Sequence, residues 1–140
     1  MKLEHANVTV GSIDEAVRFL GAAFPHFRRR GGGHLHDDPD LGEWVHFGDD
    51  ECYIALQQNV LHAGRVDIPY SNDGINHLGF VVESLDQLLL RLAELNYHPT
   101  EASVLDGHPH RRRAYIIDGN GFEWEFVEYT SKLAAERNAY

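Results

Sequence analysis

Apolar and polar positions alternate along residues 3–10, with Ala6, Val8 and Val10 on one parity and His5, Asn7 and Thr9 on the other. That two-residue period predicts a half-buried strand. Ser12 follows, with Glu15 three residues later, the signature of a capped helix start, and the spacing changes to a helical one over 13–22. Strands are expected near 26–30, 43–47 and 52–58, separated by a loop at 31–42, GGGHLHDDPDLG. The same order then returns: strand 75–82, Ser84 with Gln87, helix 85–95, and strands near 97–104, 111–117 and 122–128. The stretch 59–74 reads as a connector, and the tail 130–140 as a short helix or frayed end.

The recurrence is also one of residues. HANVTVGSIDEAVRFL (5–20) and HLGFVVESLDQLLLRL (77–92) share five identities in sixteen positions at an offset of 72, among them His5/His77 and Asp14/Asp86. FGDDECYIALQ (47–57) lies over IDGNGFEWEFV (117–127) at an offset of 70. The chain is therefore expected to be α+β: a single domain over 1–140 built from two pseudo-repeated βαβββ modules, about 1–60 and 73–130.

Parity also selects the candidate chemistry. If Leu78, Phe80 and Val82 face a helix, His77 and Gly79 face the other way; Phe122, Trp124 and Phe126 likewise leave Glu123 and Glu125 opposite. His5, His77 and Glu125 thus occupy corresponding faces of repeated strands. Two imidazoles and a carboxylate can hold a divalent first-row metal by one face and leave positions open for chemistry. The position mirroring Glu125 is Ala55, which cannot coordinate, and its same-face neighbours Tyr53 and Gln57 are poorer substitutes.

The His5 strand, the NHLGFVV stretch around His77 and the closing RAYIIDGNGFEWEFVEY resemble the vicinal oxygen chelate superfamily over roughly 1–129. That group includes glyoxalase I, extradiol dioxygenases, fosfomycin-resistance transferases and bleomycin-resistance proteins. The resemblance implies paired βαβββ modules forming a cup-shaped mixed sheet, helices outside, around a metal on His5, His77 and Glu125. It also implies a homodimer, as in many short members. Glyoxalase I uses a fourth carboxylate ligand where Ala55 stands, which disfavours that chemistry. Fosfomycin-type transferases carry Thr where this chain has Asn7.

Extradiol dioxygenases use two His and one Glu, with a closing His, Tyr and Glu that His108, Tyr115 and Glu125 resemble. In that signature Gly119 replaces a Pro, Ala114 a larger apolar residue, and Asp106 a small or apolar one. The implied activity is dioxygenase-like, with Fe(II) or Mn(II), and Zn(II) or Ni(II) as further candidates. His108 would carry a proton and Tyr115 donate a hydrogen bond, both in catalytic roles, with Arg113 and Asn7 binding substrate. A lyase, isomerase or transferase of the same group, or a metal-free binder of the bleomycin-resistance kind, stays open.

Composition narrows the partners. The chain has 140 residues, 12 basic against 22 acidic, a formal charge of −10, and ten histidines. Nucleic acid and anionic membranes are not expected, because both demand clustered positive charge. Half of the basic residues are gathered in Arg28–Arg30 and Arg111–Arg113; Arg111 and Arg113 share a face with Tyr115 and would suit an anionic small substrate. His34 and His36 are read as solvated loop residues in a segment that could act as a lid. His46 shares a face with Trp44 and either lines the cavity or packs quietly, while His26, His62 and His98 support no role. Cys52, the only cysteine, excludes an intrachain disulfide and reads as buried packing. With neither a signal-peptide pattern nor an 18-residue apolar run, the expected location is the cytoplasm.

Overall fold

Both serine-capped starts form helices, and the alternating runs at 3–10, 75–82, 111–117 and 122–128 form strands. The computed structural model describes residues 3–59, 74–101, 103 and 107–139. The strands and helices are β1 His5–Thr9, α1 Ile13–Ala23, β2 Arg28–His34, β3 Gly42–Gly48, β4 Tyr53–Asn59, β5 His77–Val81, α2 Leu85–Ala93, β6 Arg111–Ile117, β7 Glu123–Tyr129 and α3 Ala134–Arg137. A single 3₁₀ turn, Leu35–Asp37, follows β2. The chain divides into two compact units, Met1–Asp67 and Ile68–Tyr140.

The first unit is a four-stranded sheet in the order β1-β4-β3-β2, with β1 parallel to β4 and the remaining pairs antiparallel. Helix α1 turns Ala16, Phe19 and Leu20 onto β3 and β4, where they are buried with Val45, Phe47, Ile54 and Leu56. The second unit has the order β5-β7-β6, again with its first strand parallel to its last. Leu85, Leu88 and Leu92 of α2 are buried with Ile116, Trp124 and Phe126.

Small devices repeat with the elements. Ser12 Oγ accepts from Glu15 N (3.2 Å) and Ser84 Oγ from Gln87 N (3.3 Å), so both helices carry the predicted cap. A second cap comes from the last strand of each unit. Gln58 Oε1 accepts from Ile13 N and Glu128 Oε2 from Leu85 N, each at 2.8 Å, satisfying a helix-start N–H that has no partner within its helix. Asp49 and Asp118 each fold the turn before that strand, accepting from Glu51 N and Cys52 N, and from Asn120 N and Phe122 N. Asp118 is buried and also accepts from Trp124 Nε1 at 3.0 Å.

Three expectations change. The segment expected to be a loop from residue 31 continues β2 to His34, because Trp44 on β3 packs across the glycines. A Cβ on Gly32 would stand 2.9 Å from Trp44 O, and one on Gly33 3.3 Å from Trp44 Nε1, so this edge strand takes its packing from its neighbour. The strand expected near 97–104 is reduced, among the described residues, to one bridge between Pro99 and Ile116. Proline lacks the N–H that a strand needs there. Cys52 is half-buried rather than buried. Residues 60–73 of the expected connector, with His62, lie outside the described residues, as does Asp106.

Candidate metal centre

Alternation along β7 sends Glu123 and Glu125 to the face opposite buried Trp124 and Phe126, and the neighbouring strands bring side chains to them from both sides. His77 opens β5, in register with Glu123, and Gly79 is in register with Glu125. Tyr115 on β6 is in register with Glu125 from the other side. Strands about 4.8 Å apart thus set an imidazole, a carboxylate and a phenol in one row.

The row is closed by contacts. His77 Nε2 stands 3.2 Å from Glu125 Oε2, and its Nδ1 3.5 Å from Glu123 Oε1. The Tyr115 hydroxyl donates to Glu125 Oε1 at 2.9 Å, and Arg113 Nη1 donates to that hydroxyl at 3.3 Å while lying 3.9 Å from Glu125 Oε1. Glu123 and Glu125 are largely buried. Burial raises the Tyr115 pKa, and the hydrogen bond to Glu125 and that carboxylate's charge raise it further, against the opposing Arg113. At neutral pH Tyr115 is therefore a protonated donor.

One pair in this row has the spacing of two neighbouring ligands of a single metal ion. Two ligand atoms bound at about 2.1 Å and at roughly a right angle stand about 3 Å apart, close to the separation of His77 Nε2 and Glu125 Oε2. Gly79 leaves room for the carboxylate, since a Cβ there would stand 3.2 Å from Glu125 Oε2. Among the described residues no group of three or more His, Cys, Asp or Glu side chains is gathered for a metal ion. The ligand pair itself belongs to the second unit.

The first unit presents the register equivalents of this row. His5 pairs with Tyr53 and Asn7 with Ala55, so the equivalent of Glu125 is a methyl group, as the offset of 70 implies. His5 stacks on the Tyr53 ring (4.7 Å, 14°), and His46 lies between Tyr53 and Trp44, 4.5 and 4.7 Å from their rings. The Arg30 guanidinium sits 4.5 Å above Tyr53. Burial, followed by the charges of His5 and Arg30, lowers the His46 pKa.

His108 is placed elsewhere. Its Nε2 lies 2.8 Å from Ala139 O and its Nδ1 accepts from His110 N, beyond the Arg111 end of β6. The second arginine triplet splits by parity: Arg112 pairs with Asp86 and Glu128, whereas Arg113 turns to Tyr115. The role of Glu123 beside His77 was missed at the level of sequence, although its parity with Glu125 placed it on that face.

No family model and no curated protein matches the chain. Solved structures do. A glyoxylase/bleomycin resistance protein/dioxygenase domain from Frankia sp. EAN1pec is 20% identical with a TM-score of 0.74, covering 92% of this chain and 98% of its own. The fosfomycin resistance protein FosX from Listeria monocytogenes, complexed with Mn(II) and a sulfate ion, is 17% identical with a TM-score of 0.70, covering 99% and 98%. The trypanothione-dependent glyoxalase I of Leishmania major is 15% identical with a TM-score of 0.69, covering 91% and 86%. The fold is the vicinal oxygen chelate fold. His5 opens β1, His77 opens β5, and Glu125 lies on β7. Among the described residues no helix is long and apolar enough to cross a membrane.

Proposed function

We propose that the protein is a metal-dependent enzyme acting on a small molecule, most like an extradiol-type dioxygenase, with Fe(II) or Mn(II) on His5, His77 and Glu125. The pair of His77 Nε2 and Glu125 Oε2, 3.2 Å apart on adjacent parallel strands, carries this reading. A bound divalent metal supplies Lewis acidity and open positions for a substrate with two neighbouring oxygens. Glu125 is held by Tyr115 through the oxygen that His77 does not face, so Oε2 would be the oxygen to bind a metal together with His77 Nε2. Tyr115, kept protonated, is a hydrogen-bond donor beside that position. Arg113 adds positive charge for an anionic substrate group, and Asn7 would contact substrate from the first unit. Proton transfer through His108 would require release of its contact with Ala139 O, so Tyr115 is the better placed of the two. A cytoplasmic homodimer belongs to the same proposal, and sedimentation analysis tests the assembly.

A metal-free binding protein is the second reading. It is favoured by the direct pairing of His77 with Glu125, which leaves neither group dependent on a metal. Metal content of protein purified without chelator, beside His77→Ala, decides between them. Stoichiometric metal that the variant loses supports the enzyme, and no metal in either protein overturns it. Oxygen uptake with Fe(II) and a panel of catechols then tests the oxygenase assignment; a silent panel in a metal-loaded protein overturns that assignment alone.

A further inference from the structure

Glu123 and Asp118 are the buried polar or charged residues among the described part of the chain. A buried carboxylate is costly unless other groups compensate it. Asp118 is compensated by the turn it folds and by Trp124. Glu123 lies on the other face of β7, with Oε1 at 3.5 Å from His77 Nδ1, on the ring edge remote from Glu125. The first unit holds its own histidine from the same register position by other means: Tyr53, the equivalent of Glu123, stacks flat on His5. In both units the first residue of the last strand thus contacts the first-strand imidazole.

An imidazole that binds a metal through Nε2 must carry its proton on Nδ1, and an acceptor at Nδ1 fixes both tautomer and ring plane. Glu123 Oε1 lies on the required side, 3.5 Å from Nδ1, while Glu125 faces Nε2. We infer that Glu123 is a positioning residue for His77, holding its Nδ1–H so that the Nε2 lone pair is directed to the metal position beside Glu125. The inference rests on the metal-dependent reading above. It adds a carboxylate that does not bind the metal and acts through the histidine. Its negative charge also makes His77 a stronger donor, so the site gains affinity from a group outside the ligand set.

The test uses the full chain and two metals. Mn(II) affinity is measured by electron spin resonance for the native protein and for Glu123→Gln, Glu123→Ala and His77→Ala, with urea unfolding of each. Glu123→Ala is expected to weaken Mn(II) binding about 10–100-fold. Glu123→Gln, which keeps an acceptor oxygen but loses the charge, should fall between Glu123→Ala and the native protein. If Glu123→Ala fails to fold, Glu123→Gln decides. The second readout is the His77 Nδ1 proton in the Zn(II)-loaded protein, observed by nitrogen-correlated NMR. It should lie downfield in the native protein and move upfield in Glu123→Gln, which a merely structural role would not produce. Binding lost in His77→Ala but native-like in a folded Glu123 variant, or an unmoved Nδ1 proton, overturns this inference and leaves the metal reading intact. Absence of metal binding in the native protein overturns both.

Discussion

Gly79→Ala separates the function of the proposed centre from the stability of its fold. The added Cβ would stand 3.2 Å from Glu125 Oε2, a few tenths of an ångström inside ordinary contact. Glu125 cannot yield freely, because its other oxygen accepts from Tyr115 at 2.9 Å. The carboxylate can then give way only by turning about that hydrogen bond, which should widen the 3.2 Å gap to His77 Nε2. The fold is little affected, because alanine in a strand gains about 0.5–1 kcal/mol over glycine, which offsets the crowding. Unfolding free energy should therefore stay within about 1 kcal/mol of native, measured by urea titration of tryptophan fluorescence. Mn(II) affinity should fall about tenfold, equivalent to about 1.4 kcal/mol. A variant as stable as the native protein that binds Mn(II) within about twofold of it would refute the claim that Glu125 is confined by Gly79.

Four further outcomes follow from the contacts. Asp118→Ala removes one acceptor group from two backbone N–H groups and Trp124 Nε1, and should cost about 3–5 kcal/mol of unfolding free energy. Asp49→Ala, at the more exposed equivalent turn, should cost about 1 kcal/mol; equal losses would contradict the burial argument. Gly48→Ala would put a Cβ 2.2 Å from Cys52 O and should destabilise by about 2–3 kcal/mol, or prevent folding, as read by thermal melting. Tyr115 should ionise above the usual phenol range in a phenolate absorbance titration, and Glu125→Gln should bring its transition down. Because its folded pKa is raised, its contribution to stability is complete below about pH 10 and is lost as pH rises through the folded value.

Much of the architecture was legible because the repeat supplied it twice. The alternating runs at 3–10 and 75–82 and the serine caps at Ser12 and Ser84 each agree with their copy, and the observed registers His5↔Tyr53 and His77↔Glu123 carry the offsets 72 and 70. What escaped were features decided across strands. Three consecutive glycines read as a loop because nothing local says that Trp44 will lie over them. Pro99 ends a ladder that the alternation around it favours. At the centre, parity placed His77, Glu125 and Tyr115 on one face, but not the contact of His77 with Glu123, which depends on how the imidazole is turned. His108 matched a spacing, whereas its partners are the nearby His110 and the sequence-distant Ala139.

The parallel pairing of each unit's first strand with its last has a consequence during synthesis. β1 is an edge strand whose sheet neighbour is β4, so it has nothing to pair with until residues 53–59 have been made. At about 5–20 residues per second that interval is roughly 2–10 s. Through it Val8 and Val10, buried in the finished unit, remain uncovered by their own sheet. Gln58, which completes the start of α1, arrives on the same late strand. The final strand therefore carries both the missing sheet partner and the missing helix cap, and β7 with Glu128 does the same for the second unit.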